Sequence, residues 1–147
     1  MIVKNHKTFL DNRGSYTPID VKEWEQCSVS INTYPFTFRG LHYQTNPPQT
    51  KYVKVVQGSI IDFLVDLETK EVEFAKLNSN SAIEVPSSKA HGFLTLEPNT
   101  IVVYNVIGEY NPESEHSIPY YDVPEVKQII ESYSLNITIS EKDQNGK

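Results

Sequence analysis

The sequence predicts an all-β fold, a jelly-roll sandwich or barrel carrying one short helix near its C-terminal end. Apolar residues recur with a period of two through most of the chain. The runs follow one another at about ten-residue intervals and are separated by turn residues, the spacing of an antiparallel sandwich. Helical periodicity appears in one place only. In order, 51–57 is rich in Val and Tyr and ends on the turn signal Gly58-Ser59. In 60–67, Ile61, Phe63, Val65 and Leu67 define one face of a strand, with Asp62 and Asp66 on the other. Segments 71–77, 82–85, 93–96 and 101–107 continue the pattern. The helix follows Pro124, which suits a first turn, and Val126, Ile129, Ile130 and Tyr133 fall at i, i+3, i+4 and i+7. Residues 144–147 read as a frayed end. With no repeat or low-complexity linker, the 147 residues are read as one domain.

Composition narrows the function classes. A net charge of −6 argues against nucleic acid as a partner, though a local cluster of cations can still hold a small anion. Cys27 is the single cysteine, so a disulfide framework and a cysteine-rich metal site are both excluded. No apolar run approaches the roughly 20 residues of a membrane span. With no apolar leader at the N-terminus, the expectation is a cytoplasmic protein with no membrane partner.

The chemistry concentrates in Phe38-Arg39-Gly40-Leu41-His42-Tyr43-Gln44, which puts a cation, an imidazole and an amide on one predicted strand. Taken singly, His42 reads as a hydrogen-bonded core histidine and Arg39 as a surface cation. Their company changes that reading. Lys51 lies nine residues on, past a Pro47-Pro48 turn able to return it beside the first strand. His91 stands in Ala90-His91-Gly92-Phe93, where the glycine admits a close neighbour. Tyr104 interrupts an apolar run, so its hydroxyl needs a partner or a ligand. A metal is not expected. Where a metal-binding jelly roll places a second histidine this chain has Gln44, and two isolated histidines fall short of a catalytic ligand set.

This constellation resembles the dTDP-4-dehydrorhamnose 3,5-epimerase family, the RmlC-like branch of the cupin superfamily. The main motif is similar to the family's RGLH(F/Y)Q. Further resemblances are Asp11-Asn12-Arg13-Gly14, the strand from Lys51 to Gly58, Val85-Pro86 with Ala90-His91-Gly92-Phe93, Tyr104, the Tyr110 to Glu115 segment, and Ser140-Glu141-Lys142-Asp143. The resemblance implies a cupin-type jelly roll and an isomerase acting on a nucleotide-linked 4-keto-6-deoxy sugar by 3,5- or 3-epimerisation, without a cofactor. It implies His42 as base with Asp143 as its partner, Lys51 beside the ketone oxygen, and Tyr104 as the acid. Arg13 and Arg39 would hold the diphosphate and Tyr110 would stack on the base. Asn32, Gln44, His91, Glu115 and Lys142 would complete the binding shell. It further implies a homodimer with exchanged N-terminal strands.

Two structural demands follow. The C-terminal segment must fold back to bring Asp143 to His42. Arg39 and His42, on opposite faces of a regular strand, can share a pocket only if Gly40 introduces a bulge or the strand ends. The chain also departs from the family. It is shorter between Asp122 and Ser140, it has Pro18 where an acidic residue is usual, and it has Ser30-Ile31-Asn32 in place of Gln-Asp-Asn. Alternative readings are a nucleotide-sugar 3,4-ketoisomerase, which usually carries a second histidine at the position of Gln44, and a non-catalytic nucleotide-sugar-binding cupin.

Overall fold

The computed structural model describes residues 1–7, 9–12, 14–16 and 25–146. Strands follow in chain order as β1 (Val3–Asn5), β2 (Phe9–Asp11), β3 (Gly14–Tyr16), β4 (Gln26–Asn32), β5 (Thr37–Gln44), β6 (Thr50–Gln57) and β7 (Ser59–Asp66). They continue as β8 (Val72–Asn78), β9 (Ser81–Val85), β10 (Lys89–Thr95), β11 (Thr100–Ile107), β12 (Glu115–Ser117) and β13 (Thr138–Ile139), with helices α1 (Pro124–Tyr133) and α2 (Glu141–Asn145). Five strands form one sheet in the order β1-β9-β6-β11-β4. The facing sheet runs β12-β5-β10-β7-β8, with β13 parallel to β5, and β2 and β3 form a separate hairpin. This is the all-β jelly-roll sandwich, and every predicted strand is present. Among the described residues no helix is long and apolar enough to cross a membrane.

Two apolar layers explain the arrangement. Val53, Val55, Ile60, Leu64, Ile83, Phe93 and Val102 fill the space between the sheets. A second layer lies outside the larger sheet, where Phe38, Leu41, Ile61, Phe63 and Val65 pack under α1 through Val126 and Ile130. The period of two in β7 therefore divides two cores. Ile61 and Phe63 face the helix layer, and Asp62 shares the interior side with Ile60 and Leu64. Helix α1 begins on Pro124 as expected, its missing N–H falling where an intrahelical bond is not needed.

Three expectations are corrected. Residues 144 and 145 belong to α2, a second helix too short to show periodicity; the Ser140 side chain accepts from the Asp143 amide and caps it. Strand β10 starts at Lys89, four residues before the predicted segment, because His91 and Gly92 continue its ladder with β7. The turn after β5, whose Asn46–Pro47 peptide is cis, crosses between the sheets. Lys51 consequently enters from the sheet opposite β5, between Val85 of β9 and Val106 of β11.

Candidate active site

Gly40 is where β5 becomes irregular. His42 pairs with His91 and Arg39 with Phe93, so three steps on β5 match two on β10. That extra residue is the bulge required to turn Arg39 and His42 to the same side, and both line one cavity of about 330 Å³. Gly40 has φ +128°, and a Cβ there would lie 2.5 Å from the Gly92 Cα and 2.8 Å from the His91 carbonyl. The close approach of the two strands requires glycine on each.

His42 Nε2 lies 2.6 Å from Asp143 Oδ1. A carboxylate only accepts, so Nε2–H donates and Nδ1 is the ring nitrogen with a free lone pair. The other oxygen, Oδ2, accepts the Gly40 amide at 3.1 Å, and the Ser117 hydroxyl donates to Oδ1 at 3.3 Å. Burial pushes the Asp143 carboxyl up, but the bond and charge of His42, with these two donors, hold it below the ordinary value. The C-terminal segment does fold back, carried by the short helix that Ser140 caps.

The opposite wall is built by the five-stranded sheet. Tyr104 of β11 and Lys51 of β6 face the cavity. Burial raises the Tyr104 phenol well above its ordinary range, while the Ser30 hydrogen bond and the Arg39 charge pull it back. Burial lowers the Lys51 ammonium, partly offset by the charges of Glu115 and Asp62. Arg39 is oriented by Nε donating to Asn32 Oδ1 at 2.7 Å, and Asn32 is itself buried.

At the rim, Lys142 Nζ pairs with Glu115 Oε1 at 2.6 Å. Tyr110, half exposed, also bonds Glu115, whose charge raises the phenol; this bond and Lys142 outweigh burial and lower the Glu115 carboxyl.

Gln44 is in a different position from the one expected. It is buried outside the cavity lining, its Nε2 donating to the carbonyls of Pro47 and Glu109 at 2.8 Å each and its Oε1 accepting the Asn111 amide at 2.9 Å. This amide ties two loops together and thereby positions Tyr110, which explains a polar residue at that position without ligand contact. Arg13 and Pro18 lie outside the described residues.

One buried group was not anticipated as a partner. Asp62 is completely buried, with Oδ2 2.7 Å from His91 Nε2 and Oδ1 unpartnered among the described residues. Burial raises its carboxyl, against the opposing pull of His91 and Lys51. The available signal was an acidic residue inside the apolar run of β7, because a buried carboxylate needs a partner. Its pairing with a histidine 29 residues away could not be read from spacing.

Fold and site thus define a jelly-roll sandwich whose facing sheets present a histidine–aspartate pair, a tyrosine, a lysine and an arginine to one cavity. The family model for dTDP-4-dehydrorhamnose 3,5-epimerase matches residues 3–147, and the chain belongs to that family. It is 39% identical over 108 residues to the dTDP-4-dehydrorhamnose 3,5-epimerase of Mycobacterium tuberculosis, covering 68% of this chain and 52% of that protein. The match therefore spans about half the length of that curated relative. A Bacillus anthracis dTDP-4-dehydrorhamnose 3,5-epimerase structure with TDP and PPi bound superposes with a TM-score of 0.82 at 30% identity, covering 97% of this chain and 90% of that one. A Legionella pneumophila dTDP-6-deoxy-D-glucose-3,5-epimerase in complex with dTDP-4-keto-L-rhamnose superposes with a TM-score of 0.83 at 26% identity, covering 97% and 84%.

Proposed function

We propose that this chain is a nucleotide-sugar epimerase that inverts C3, or C3 and C5, of a dTDP-linked 4-keto-6-deoxy sugar. The observation that carries the reading is the opposition of His42 on one sheet, paired with Asp143 of α2, to Tyr104 and Lys51 on the other sheet, across a single cavity. Inversion beside a ketone needs a base on one face of the sugar, an acid on the other, and a cation for the charge that develops on oxygen. The two walls supply these three groups. The relatives act on or bind substrates of this class, by their names and bound molecules.

In the proposed cycle His42 Nδ1 takes the proton from the carbon beside the ketone, and the C–H electron pair moves into the carbonyl to form an enolate. Asp143 holds the imidazole in the tautomer with Nδ1 free and stabilises the imidazolium that results. The Lys51 ammonium offsets the enolate oxygen, its charge strengthened by the partly desolvated site. Tyr104 O–H then protonates the carbon from the opposite face and keeps the electron pair as phenolate. Solvent removes the imidazolium proton and returns one to the phenolate.

Arg39 holds the diphosphate, with Arg13 as the second cation, and Lys142 and His91 contribute to the same shell. Tyr110 stacks on the base. The protein forms a homodimer, consistent with an outer sheet face on which Val29 and Ile31 are 60% and 64% exposed.

The test is incubation with dTDP-4-keto-6-deoxyglucose in heavy water, read by proton NMR. Deuterium at C3, or at C3 and C5, with inverted product is the expected result. Migration of the keto group, or tight binding with no exchange, would overturn the proposal.

A further inference from the structure

The edge strand β4 has its polarity reversed. Ser28 and Ser30 line the cavity and Asn32 is buried, while Cys27, Val29 and Ile31 are exposed.

Ser30 belongs to a chain of hydrogen bonds whose direction is fixed from Arg39 as far as Ser30 itself. The Arg39 guanidinium can only donate, so the Asn32 atom 2.7 Å from its Nε is the amide oxygen. The Thr100 carbonyl can only accept, so the Asn32 atom 3.1 Å from it is Nδ2. The amide orientation is thereby settled at both ends, and Nδ2 also donates to Ser30 Oγ at 3.3 Å. Ser30, already accepting, has its single hydrogen available for the Tyr104 oxygen 3.3 Å away. With Ser30 as the donor in this contact, Tyr104 accepts from the protein side and its own O–H is left to point into the cavity.

We infer that Ser30 is a positioning residue for the proton donor Tyr104: it donates to the phenol oxygen, directs the phenol hydrogen at the substrate, and stabilises the phenolate left after transfer. The inference rests on the reading of Tyr104 as acid given above. The Ser30 O–H bond stays intact throughout; the proton that reaches carbon is Tyr104's, and solvent replaces it. The hydrogen bond from Ser30 is stronger to a phenolate than to a phenol, so it lowers the barrier to proton return. It also acts in the direction needed, since burial pushes the phenol up and the Ser30 bond opposes this. Arg39 stands at the head of the chain, so the cation assigned to the diphosphate also fixes the Asn32 amide that holds Ser30 beside the acid.

The experiment separates proton removal from proton return. Substrate is incubated in heavy water with the wild type, Ser30→Ala, Ser30→Thr, Tyr104→Phe and the double variant, and deuterium exchange and inverted product are followed separately. An enolate that is not protonated by Tyr104 returns to His42 on the original face, giving exchange without inversion. Ser30→Ala is expected to keep the wild-type exchange rate and to lose about tenfold in inversion, the size of one hydrogen bond to a developing charge. Ser30→Thr, which retains the hydroxyl, is expected to restore the wild-type ratio, and Ser30→Ala is expected to add nothing in the Tyr104→Phe background. If Tyr104→Phe loses inversion while Ser30→Ala keeps the wild-type ratio, the role of Ser30 is overturned and that of Tyr104 stands. An equal fall of exchange and inversion in Ser30→Ala, with weakened dTDP binding, would assign Ser30 to structure alone and overturn the inference. Inversion at the wild-type rate in Tyr104→Phe would overturn the reading on which the inference rests.

Discussion

In the six-stranded sheet every residue of β7 from Ser59 to Val65 is buried, because the interior covers one face and α1 covers the other. In the five-stranded sheet the edge strand β4 buries Asn32, half-buries Ser28 and Ser30, and leaves Val29 and Ile31 in solvent. The first sheet is completed within the chain, and a bulge and a capped helix bring His42 and Asp143 together. The second shares the inter-sheet core through β6, β9 and β11, but its edge strand β4 turns polar groups to the cavity and leaves apolar side chains exposed on the outside. The surroundings of His42 are thus closed within one chain, while the sheet carrying Tyr104 and Lys51 keeps an exposed apolar edge.

The sharpest way to test this division is at the base. His42→Ala is expected to lower exchange and inversion together by about 10²–10⁴-fold, the usual contribution of a positioned base, with dTDP binding retained in a calorimetric titration. Unchanged exchange would remove His42 as base. On the same sheet, Ile130→Ala is expected to destabilise the fold by about 2–5 kcal/mol, since Ile130 is fully buried in the layer that α1 completes. Urea unfolding measures this, and a loss below about 1 kcal/mol would show that the sheet does not depend on its helix.

The other sheet is tested by Ile31→Asp, which is expected to convert the proposed dimer to a monomer in sedimentation experiments with little change in secondary structure. Dimers surviving this substitution would place the interface elsewhere.

Acid stability provides a smaller effect. The Asp143 carboxyl is held below its ordinary value of 3.8, so it favours the fold above that pH and the contribution is lost as pH falls through the folded value. Asp143→Asn is therefore expected to flatten the stability profile between about pH 5 and pH 2. A profile that keeps the wild-type slope would mean the His42–Asp143 pair contributes nothing to folding.

The smallest effect is expected at the rim. Lys142→Ala removes an exposed ion pair with Glu115, so its stability change is expected to be within about 0.5 kcal/mol, with the loss appearing in KM and not in kcat.

How much was legible in the sequence varies from residue to residue for physical reasons. The strands were legible because burial on one face of a pleated chain imposes a period of two, and α1 because Val126 and Ile130 fall one turn apart beneath a proline. The irregularity at Gly40 was legible because side-chain parity forbids Arg39 and His42 from sharing a face without it. The partnership of His42 with Asp143 followed from resemblance and not from spacing, since 101 residues separate them. Gln44 shows the reverse case. Its place beside the motif suggested ligand contact, yet its amide is taken up by three backbone groups from two loops whose approach is a tertiary event.

Local patterns are short-range consequences of burial and backbone geometry, and these the sequence determined alone: strand positions, the helix start, and the need for glycine where two backbones meet. Direction and pairing were decided by the tertiary structure. It put Lys51 on the wall opposite His42, joined Asp62 to His91, and linked Arg39, Asn32, Ser30 and Tyr104 in one chain of contacts. The physical reason is that a hydrogen bond depends on distance and on which atom donates, and both are defined only once separate strands have come into register.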